Sequence, residues 1–259
     1  MAGTVLITGG SRGIGAATAR LAVRHGYAVA IAYRAETRSA EALVHDLLGE
    51  GGQAIAIRAD VAQQDQVRRL FHEVDERLGR LSALVNAAGI TGGPATKVAD
   101  LEQAVLERLL AVNVIGTMLC CREGVRRMST ARGGAGGAIV NVSSMAAAIG
   151  GRPGRSPYAA SKAAIDSFTI GLAKEVAQDG IRVNAIRPGM TLTDMTDAVR
   201  RDADLRARVA ATIAMNRCAT PEEMARPTLW LLSDEASFVS GAILDASGGG
   251  FMLAPVASS

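Results

Sequence analysis

The stretch VLITGGSRGIG, residues 5–15, predicts the organisation of the rest of the chain. It starts with an apolar, β-branched run typical of a buried parallel strand, breaks into glycines, and continues into a helical pattern at positions 14, 17, 21 and 22. This order lets backbone N–H groups and the positive end of a helix dipole approach a pyrophosphate. The stretch predicts a nucleotide site, with a tight turn that holds no ligand as the alternative. The glycines at positions 9, 13 and 15 do not follow the common G-x-G-x-x-G spacing.

Composition narrows the class of protein. The chain has 259 residues, of which 49% are hydrophobic, so it can build one large α/β core. The net charge of +3 comes from 28 basic and 25 acidic residues that are interspersed, and 3% of the residues are aromatic, so we expect no nucleic-acid partner. Three cysteines at positions 120, 121 and 218 lack metal-ligand spacing, so we expect them reduced and buried, with no metal site.

The first residues give no targeting signal. The segment MAG leads directly into the first strand without a charged region or a cleavage site. No uninterrupted apolar run approaches the ~18 residues that a membrane span requires. We therefore expect a cytoplasmic protein with no membrane partner.

Strand-like segments alternate with helical ones along the whole chain. After the first strand they cover residues 28–33, 54–58, 83–86, 139–143, 182–186 and 242–245. Such alternation predicts βαβ units, that is, a parallel sheet with helices on both faces. No linker divides the chain, so residues 1–259 are expected to form a single domain. In such sheets the ligand lies at the carboxyl ends of the strands, where the strand order reverses.

The end of the second strand indicates which dinucleotide would bind. An acidic residue there accepts hydrogen bonds from a ribose, whereas a guanidinium pairs with a 2′-phosphate. The residue is Arg34, and Ser11 and Arg12 lie on the glycine turn. The pattern favours NADP(H) over NAD(H), with a solvated arginine as the alternative.

Two further strand ends carry candidate cofactor contacts. Asp60, followed by Val61, could bind an adenine amino group or cap the helix that begins near position 63. Asn86, Ala87 and Gly89 belong to a run of small residues that lets backbone lie flat beside a cofactor, or that simply forms a turn.

Candidate chemistry lies at Tyr158 and Lys162, which are four residues apart at the start of a predicted helix. This spacing places both side chains on one helix face. A phenol has a pKa of about 10, and a nearby ammonium favours the phenolate. We predict that Tyr158 exchanges a proton with a carbonyl or alcohol oxygen and that Lys162 lowers the pKa of the tyrosine.

Two polar residues complete the predicted site. Ser144 follows the fifth strand at the same sheet edge, where its hydroxyl could donate to a substrate oxygen or serve the turn alone. Asn113 lies in an otherwise apolar helix and needs a polar partner. It could hold a water molecule near Lys162 or be a satisfied amide of the core.

In order and spacing, the motifs TGxxxGxG at 8–15, NAAG at 86–89, Asn113, Ser144 and YxxxK at 158–162 resemble the classical short-chain dehydrogenase/reductase family over almost the entire chain. The resemblance implies a seven-stranded Rossmann sheet, a nicotinamide cofactor, a Ser-Tyr-Lys triad extended by an asparagine, and a homotetramer. The segment RPGMTLT at 187–193 looks like the family's proline-glycine segment, in which Thr191 would fix the carboxamide and Thr193 would reach the phosphates.

The resemblance assigns the site residue by residue. The catalytic residues would be Ser144, Tyr158, Lys162 and Asn113, and the substrate would meet Ser144, Met145, Tyr158 and Met190. Besides Tyr158 and Lys162, the cofactor would contact Gly9, Ser11, Arg12, Gly13, Ile14, Gly15, Arg34, Asp60, Val61, Asn86, Ala87, Gly89, Pro188, Gly189, Thr191 and Thr193.

Three departures bear on the substrate. Asn86-Ala87 replaces the two asparagines of many members, and residues 144 and 158 are one position further apart than in the acyl-carrier-protein reductases. Asp179 stands where those reductases have a basic residue. A helical lid is expected near 190–217, although its alternating charges are also typical of a solvated helix face. Helices at 101–128 and 158–178 would form a subunit interface, and residues 241–253 could contribute to another.

We expect an NADP(H)-dependent carbonyl reductase or alcohol dehydrogenase that acts on a small molecule. A 3-oxoacyl-[acyl-carrier-protein] reductase and a glucose-dehydrogenase-like enzyme are alternatives within the same chemistry. An NADP(H)-binding sensor that has lost turnover is an alternative of another class, against which the intact catalytic motif counts.

Overall fold

A computed structural model describes residues 3–250 of the chain. Its seven strands form one parallel sheet in the order β3-β2-β1-β4-β5-β6-β7. The strands are β1 (Thr4–Thr8), β2 (Ala28–Tyr33), β3 (Ala54–Arg58), β4 (Leu81–Asn86), β5 (Gly137–Val142), β6 (Ile181–Pro188) and β7 (Ile243–Ala246). The predicted single-domain, doubly wound α/β sheet is confirmed.

Helices cover both faces of the sheet. They are α1 (Gly13–Arg24), α2 (Thr37–Gly49), α3 (Gln64–Leu78), α4 (Gln103–Leu110), α5 (Thr117–Met128), α6 (Ala146–Ile149), α7 (Ser156–Val176), α8 (Asp197–Arg201), α9 (Ala203–Ala210) and α10 (Pro221–Leu232). A π-helical turn at Ala111–Gly116 joins α4 to α5. The segment predicted to be a lid, near 190–217, contains two short helices, α8 and α9, which share a small apolar cluster with Ile213 and Cys218.

The strand predictions differ from the structure only at their ends. Strands β2 and β3 have the predicted bounds, whereas β4 begins at Leu81 rather than at position 83, and β5 begins at Gly137 rather than at 139. Ser82 and Gly137 interrupt the apolar runs without ending the strands: the pairing of β1 with β4 shifts register at Ser82, and Gly137 pairs with Ile181. Of the predicted segment 241–253, residues 251–253 lie outside the described part.

Alternating strand residues build two cores, one on each face of the sheet. In β1, Leu6 belongs to the face covered by α3, α5 and α7, while Val5 and Ile7 belong to the face covered by α1, α2 and α10. All three side chains are fully buried. The strand therefore lies at the centre of the molecule, and its carboxyl end lies at the centre of the sheet edge.

One expectation about membranes needs correction. The helical stretch Gln103–Met128 is 26 residues long with a mean hydropathy of 1.7, which is long and apolar enough to cross a membrane. The search for uninterrupted apolar runs missed it because Glu107 and Arg108 interrupt the run. In the structure 39% of its most apolar window is buried inside the domain, and its Asn113 is fully buried. The same length and hydropathy occur in core helices of soluble proteins, so they do not by themselves indicate a span.

Arg182 holds the end of α10 against β6. Its NH1 donates to the carbonyl oxygens of Leu231 (2.7 Å) and Val239 (3.4 Å). Its NH2 donates to those of Leu232 (3.2 Å) and Ser233 (3.0 Å). The last carbonyls of a helix lack intrahelical partners, so one guanidinium satisfies the acceptors that α10 leaves open.

We expect Arg182→Met to lower the free energy of unfolding by about 2–3 kcal/mol, because partly buried carbonyls lose a charged donor. Arg132→Met is the matched control, since Arg132 is exposed and should change stability by less than about 0.5 kcal/mol. Urea denaturation of both variants measures the difference. Equal stability of the two variants would contradict this role for Arg182.

Candidate active site

The main cleft lies at the carboxyl edge of the sheet, where β1 separates β2 on one side from β4 on the other. It has a volume of about 1110 Å³ and extends from the glycine turn to Tyr158 and the lid. The structure brings nearly all predicted site residues to it: Gly9, Ser11, Arg12, Gly13, Ile14, Gly15, Arg34, Asp60, Val61, Ala87, Gly89, Ser144, Met145, Tyr158, Lys162, Pro188, Gly189, Met190, Thr191 and Thr193. Asn86 and Asn113 are not among its lining residues.

The glycine turn has the shape that a dinucleotide needs. A Cβ on Gly9 would lie 2.8 Å from the backbone N of Ala88, and one on Gly15 would lie 2.4 Å from the carbonyl oxygen of Gly9. Gly13 has a φ of +55° and faces Thr193. Arg12, the residue before α1, makes no side-chain cap, so the first N–H groups of α1 remain available to an anion. The residues present therefore fit a pyrophosphate.

The charges beside this turn include a carboxylate that sequence analysis missed. Arg12 lies 3.5 Å from Glu36 and 3.9 Å from Asp194. Glu36 comes two residues after Arg34 and lines the same cleft. Arg34 is exposed, and its carbonyl oxygen accepts a hydrogen bond from Arg58 Nε (3.1 Å). The cluster therefore holds a carboxylate as well as the expected guanidinium groups.

Asp60 does not cap α3, contrary to one of its two predicted roles, because that helix follows Gln63 without a side-chain cap. Its Oδ1 accepts a hydrogen bond from the backbone N–H of Ala62 (3.0 Å), a local turn just before α3. Its Oδ2 pairs with Arg108 (2.8 Å), an ion pair that sequence analysis did not predict. Asp60 and Val61 both line the cleft. The carboxylate is thus tied into the structure at the position expected for an adenine contact.

Asn86 does not reach the cleft, contrary to its assignment as a cofactor contact. Its side chain turns into the core, where Nδ2 donates to Asn141 Oδ1 (2.9 Å) and contacts Cys121 Sγ (3.2 Å). In a strand, successive side chains point to opposite faces, and Asn86 points to the face covered by α5. The neighbouring Ala87, Ala88 and Gly89 do line the cleft.

Asn113 lies at the π-helical turn and is satisfied by the protein. Its Oδ1 accepts from the backbone N of Ile90 (2.9 Å), and its Nδ2 donates to the Ile90 carbonyl (2.9 Å) and to Ser161 Oγ (3.0 Å). The side chain is thus a satisfied core amide that ties the segment after β4 to α7. A Cβ on Gly89 would lie 3.5 Å from Asn113 Oδ1 and 3.4 Å from Lys162 Nζ. The amide thus supports the floor of the site from beneath.

Ser144 and Tyr158 meet in the cleft. Burial raises the pKa of Tyr158 above its ordinary value, while a hydrogen bond with Ser144 and the charge of Arg155 lower it. Ser143 is turned away, since its hydroxyl donates to the carbonyl oxygen of Lys162 (3.2 Å). Ser144 serves the local turn as well, since its Oγ accepts a hydrogen bond from the backbone N–H of Ala146 (3.1 Å).

Lys162 is buried, and its ammonium is not the group that dominates the pKa of Tyr158. Its Nζ lies 5.9 Å from the centroid of the Tyr158 ring and donates to the Val142 carbonyl (2.8 Å). Burial lowers the pKa of Lys162 to about 8, and the negative charge of Asp166 opposes this shift. The expected lowering of the pKa of Tyr158 is absent, because burial outweighs the favourable interactions of the phenolate.

The segment after β6 closes the site as the motif predicts. Pro188, Gly189 and Thr191 line the cleft, and a Cβ on Gly13 would lie 3.3 Å from Thr193 Cγ2. Thr193 begins a helical turn through a reciprocal capping box with Thr196. The segment therefore runs beside the glycine turn.

Sequence analysis missed a partly buried ion pair between Arg187 and Asp166. Arg187 Nε donates to Asp166 Oδ2 (2.8 Å), and Arg187 lies 3.4 Å from Asp245. The other oxygen of Asp166 is buried without a partner. The signal was present in the sequence, because Asp166 is one helical turn after Lys162.

Comparison with known proteins agrees with this geometry. A family model described as Enoyl-(Acyl carrier protein) reductase matches residues 9–250. The chain is 45% identical over 244 residues, 94% of its length, to an uncharacterized oxidoreductase, YgfF, of Escherichia coli, and covers 98% of that protein. The chain belongs to the short-chain dehydrogenase/reductase family.

Other members of the short-chain dehydrogenase/reductase family differ in their named substrates. The chain is 40% identical to a cis-4-hydroxycyclohexanecarboxylate dehydrogenase of Sinomonas cyclohexanicum, with 94% of each chain covered. It is 34% identical to the 3-oxoacyl-[acyl-carrier-protein] reductase FabG of Staphylococcus aureus, covering 97% of this chain and 99% of that one. A crystal structure of a dehydrogenase/reductase from Sinorhizobium meliloti superposes with a TM-score of 0.85 at 35% identity, covering 95% of this chain and 94% of that one. The chain is thus an oxidoreductase of a family that uses a nicotinamide cofactor on alcohol and ketone groups.

Because folding lowers the pKa of Lys162 to about 8, the unfolded chain binds more protons than the folded one between about pH 8 and about pH 10. The free-energy cost of burying the charged Lys162 is therefore at its maximum below pH 8, and it decreases as the pH rises. We expect Lys162→Met to be more stable than the wild type by up to about 3 kcal/mol near pH 7, with the difference shrinking toward pH 10. Urea denaturation across this range measures it.

Lys174→Met provides the control, since Lys174 lies exposed on the same helix. Its stability relative to the wild type should stay constant over the same pH range. A Lys162→Met variant whose advantage does not depend on pH would contradict a buried ammonium at this position.

Proposed function

We propose that the protein is an NADP(H)-dependent carbonyl reductase or alcohol dehydrogenase that works through Ser144, Tyr158 and Lys162. The observation that supports this most directly is that Ser144, Tyr158 and Lys162 line one cleft, with Lys162 buried one helical turn after Tyr158 and its Nζ 5.9 Å from the centroid of the tyrosine ring. Three side chains of different chemistry converge at one sheet edge beside a turn that fits a pyrophosphate.

Tyr158 is the group that moves the proton. The nicotinamide ring, when bound, supplies a hydride to the substrate carbon or accepts one from it. In reduction Tyr158 donates its phenolic proton to the substrate oxygen as negative charge develops there, and Ser144 donates a hydrogen bond to the same oxygen. The raised pKa keeps the phenol protonated near neutral pH, which is the form that reduction requires.

Lys162 binds and orients rather than reacts. From its position under Gly89 its ammonium can donate to the nicotinamide ribose while one hydrogen bond to Val142 fixes its direction. A bound phenolate would favour the charged lysine, so proton loss from Tyr158 and the charge of Lys162 support each other. Asn113 acts through Ile90 and Ser161, that is, as a positioning residue.

The cofactor would lie along the glycine turn. The residues that would hold it are Gly9, Ser11, Arg12, Gly13, Ile14, Gly15, Asp60, Val61, Ala87, Gly89, Pro188, Gly189, Thr191 and Thr193, with Arg34 for the 2′-phosphate. Both Arg12 and Arg34 lie where a 2′-phosphate would need cations, and Glu36 is already paired with Arg12. This arrangement supports NADP(H) over NAD(H).

The substrate would enter under the lid at 190–217. Met145, Met190 and Val209 give that end of the cleft apolar, adaptable walls. A 3-oxoacyl group attached to a carrier protein is the second candidate, since FabG is among the relatives. Asp179 counts against this second candidate, because it stands where a basic residue would be needed. Its carboxylate accepts a hydrogen bond from Ser129 (2.6 Å).

The exposed apolar face of the central helices supports the proposed homotetramer. Leu110, Ile115, Met118 and Ile170 are all exposed by a third or more. They belong to the two helical regions that the family resemblance assigns to a subunit interface. The proposed cytoplasmic location fits three free, buried cysteines.

We expect Tyr158→Phe to lose turnover by a factor of about 10²–10⁴ on any ketone or alcohol that the wild type accepts. Affinity for the cofactor should stay near the wild-type value, because the phenol acts on the substrate oxygen. Cofactor oxidation followed optically, together with a fluorescence titration of NADPH, measures both. Near-normal turnover would remove Tyr158 from proton transfer, and bound cofactor without turnover in the wild type would favour the sensor.

For cofactor choice we expect the wild type to prefer NADPH and Arg34→Asp to shift preference toward NADH by about tenfold or more, about 1.4 kcal/mol. Arg38→Asp is the matched control, because it makes the same charge change at an exposed position nearby on α2. The ratio of kcat/KM for NADPH and NADH measures the effect. A wild type that already prefers NADH would overturn the proposal for Arg34.

A further inference from the structure

The two ends of the cleft differ in how their charges are compensated. Three acidic residues line the cleft in the described part of the chain, and each has an arginine partner. Glu36 and Asp194 pair with Arg12, and Asp60 pairs with Arg108. No carboxylate lies at the Tyr158 end within residues 3–250, although guanidinium groups do.

Arg155 is one of the guanidinium groups at the Tyr158 end of the cleft. It lies three residues before Tyr158 and lines the cleft. Its NH1 donates to the carbonyl oxygens of Gly93 (2.6 Å) and Thr91 (3.3 Å). Both acceptors are neutral, so the two bonds fix the guanidinium without cancelling its charge. The positive charge of Arg155 also lowers the pKa of Tyr158, against the larger effect of burial.

The loop that carries Arg155 is fixed in place. Gly154 has a φ of +77°, and a Cβ there would lie 2.9 Å from the backbone N of Thr96. The same N–H donates to the Gly154 carbonyl (3.2 Å). Backbone contact of this kind holds the guanidinium at a set distance from Tyr158, so little ordering remains to be done when an anion binds.

Apolar and basic side chains line this end of the cleft together with Arg155. Met145, Ile149 and Val209 form apolar walls at the same end, and Arg152 and Arg208 also line it. No carboxylate forms an ion pair with Arg208 within the part of the chain that the structure describes. Between apolar walls a guanidinium interacts with an anion more strongly than it does in water.

We propose that the substrate carries a carboxylate that pairs with Arg155, so that the enzyme interconverts oxo acids and hydroxy acids. This inference rests on the proposed oxidoreductase function and adds the substrate class. In reduction the carbonyl carbon gains a hydride, its oxygen takes the proton of Tyr158, and the carboxylate is unchanged. An arginine and a carboxylate can form a bidentate pair. Such a pair orients the carbonyl of the substrate and also contributes to its affinity.

The charge pattern favours this class over the alternatives. A neutral sugar gives Arg155 no anion, and an acyl thioester presents a neutral group next to its ketone. A site built to pair a polar group rejects analogues that lack it, because its own polar group is then left without a partner. Arg155 would in this way select the acid over a neutral analogue of the same shape.

The test compares 4-oxopentanoate and 4-oxocyclohexanecarboxylate with their methyl esters, using NADPH. We expect the wild type to prefer the acid by at least tenfold in kcat/KM, about 1.4 kcal/mol. Arg155→Met should bring the ratio of acid to ester close to one while the ester is still reduced. Arg155→Lys should keep part of the preference.

Two further variants keep the test independent of folding. Arg208→Met removes a second cation at the same end and should lower the preference by a smaller factor. Arg77→Met is the matched control, since Arg77 pairs with Glu73 on α3 and does not line the cleft. It should leave the ratio unchanged.

The outcomes separate this inference from the proposed function. Reduction of ketones with esters preferred, an unchanged ratio in Arg155→Met, or preference for a 3-oxoacyl pantetheine thioester would overturn the carboxylate pairing alone. If no ketone is reduced, the proposed function fails, and calorimetric titration of the same acids then decides the pairing. If the acids bind to the wild type and not to Arg155→Met, the carboxylate pairing is supported. If they bind equally to both proteins, or to neither, the pairing is overturned.

Discussion

The close approach of two backbone segments at the centre of the sheet edge is the constraint on which the site depends. Gly9 follows β1 with a φ of +64°, and a Cβ there would lie 2.8 Å from both N and Cα of Ala88, which follows β4. The floor of the cleft is therefore backbone. Because β1 continues into α1 on one face and β4 leads to α5 on the other, the two segments diverge above this contact. The divergence opens the cleft, and the absence of side chains at its floor leaves N–H groups available to phosphate.

The buried ammonium of Lys162, beside this floor, costs stability, and the structure compensates the cost only in part. Lys162 has one carbonyl partner, and the negative charge of Asp166 raises its pKa against the larger effect of burial. Asp166 is itself paired with Arg187, the first residue of the proline-glycine segment. The same ion pair thus connects the lysine environment to the segment that closes the cleft. A buried charge that is only partly compensated is typical of functional sites, in which the charge responds to a bound ligand.

The sequence predicts the fold almost completely, because hydrophobic periodicity and glycine turns are local signals. The order of strands and nearly every cleft residue follow from them and from the family motifs. What could not be predicted depends on contacts distant in sequence. The Asn86 side chain turns into the core because its Nδ2 donates hydrogen bonds to Asn141 and Cys121 there. Asp60 forms an ion pair with Arg108, 48 positions away, and Glu36 forms one with Arg12. No local pattern encodes these pairings, and they decide which polar groups remain free for a ligand.

Helix α7 and the residue before it carry four polar or charged side chains in a row. Arg155, Tyr158, Lys162 and Asp166 follow at intervals of three, four and four residues, which places them on one face of the helix. A guanidinium, a phenol, an ammonium and a carboxylate therefore follow one another from the lid toward β6. In the reaction proposed above, each group would meet a different part: the substrate anion, the substrate oxygen, the ribose and the strand beside the cleft. Because one rigid element sets all four positions, a substrate held by the first group would have its carbonyl placed at the second, and specificity and proton transfer would share a single geometric origin.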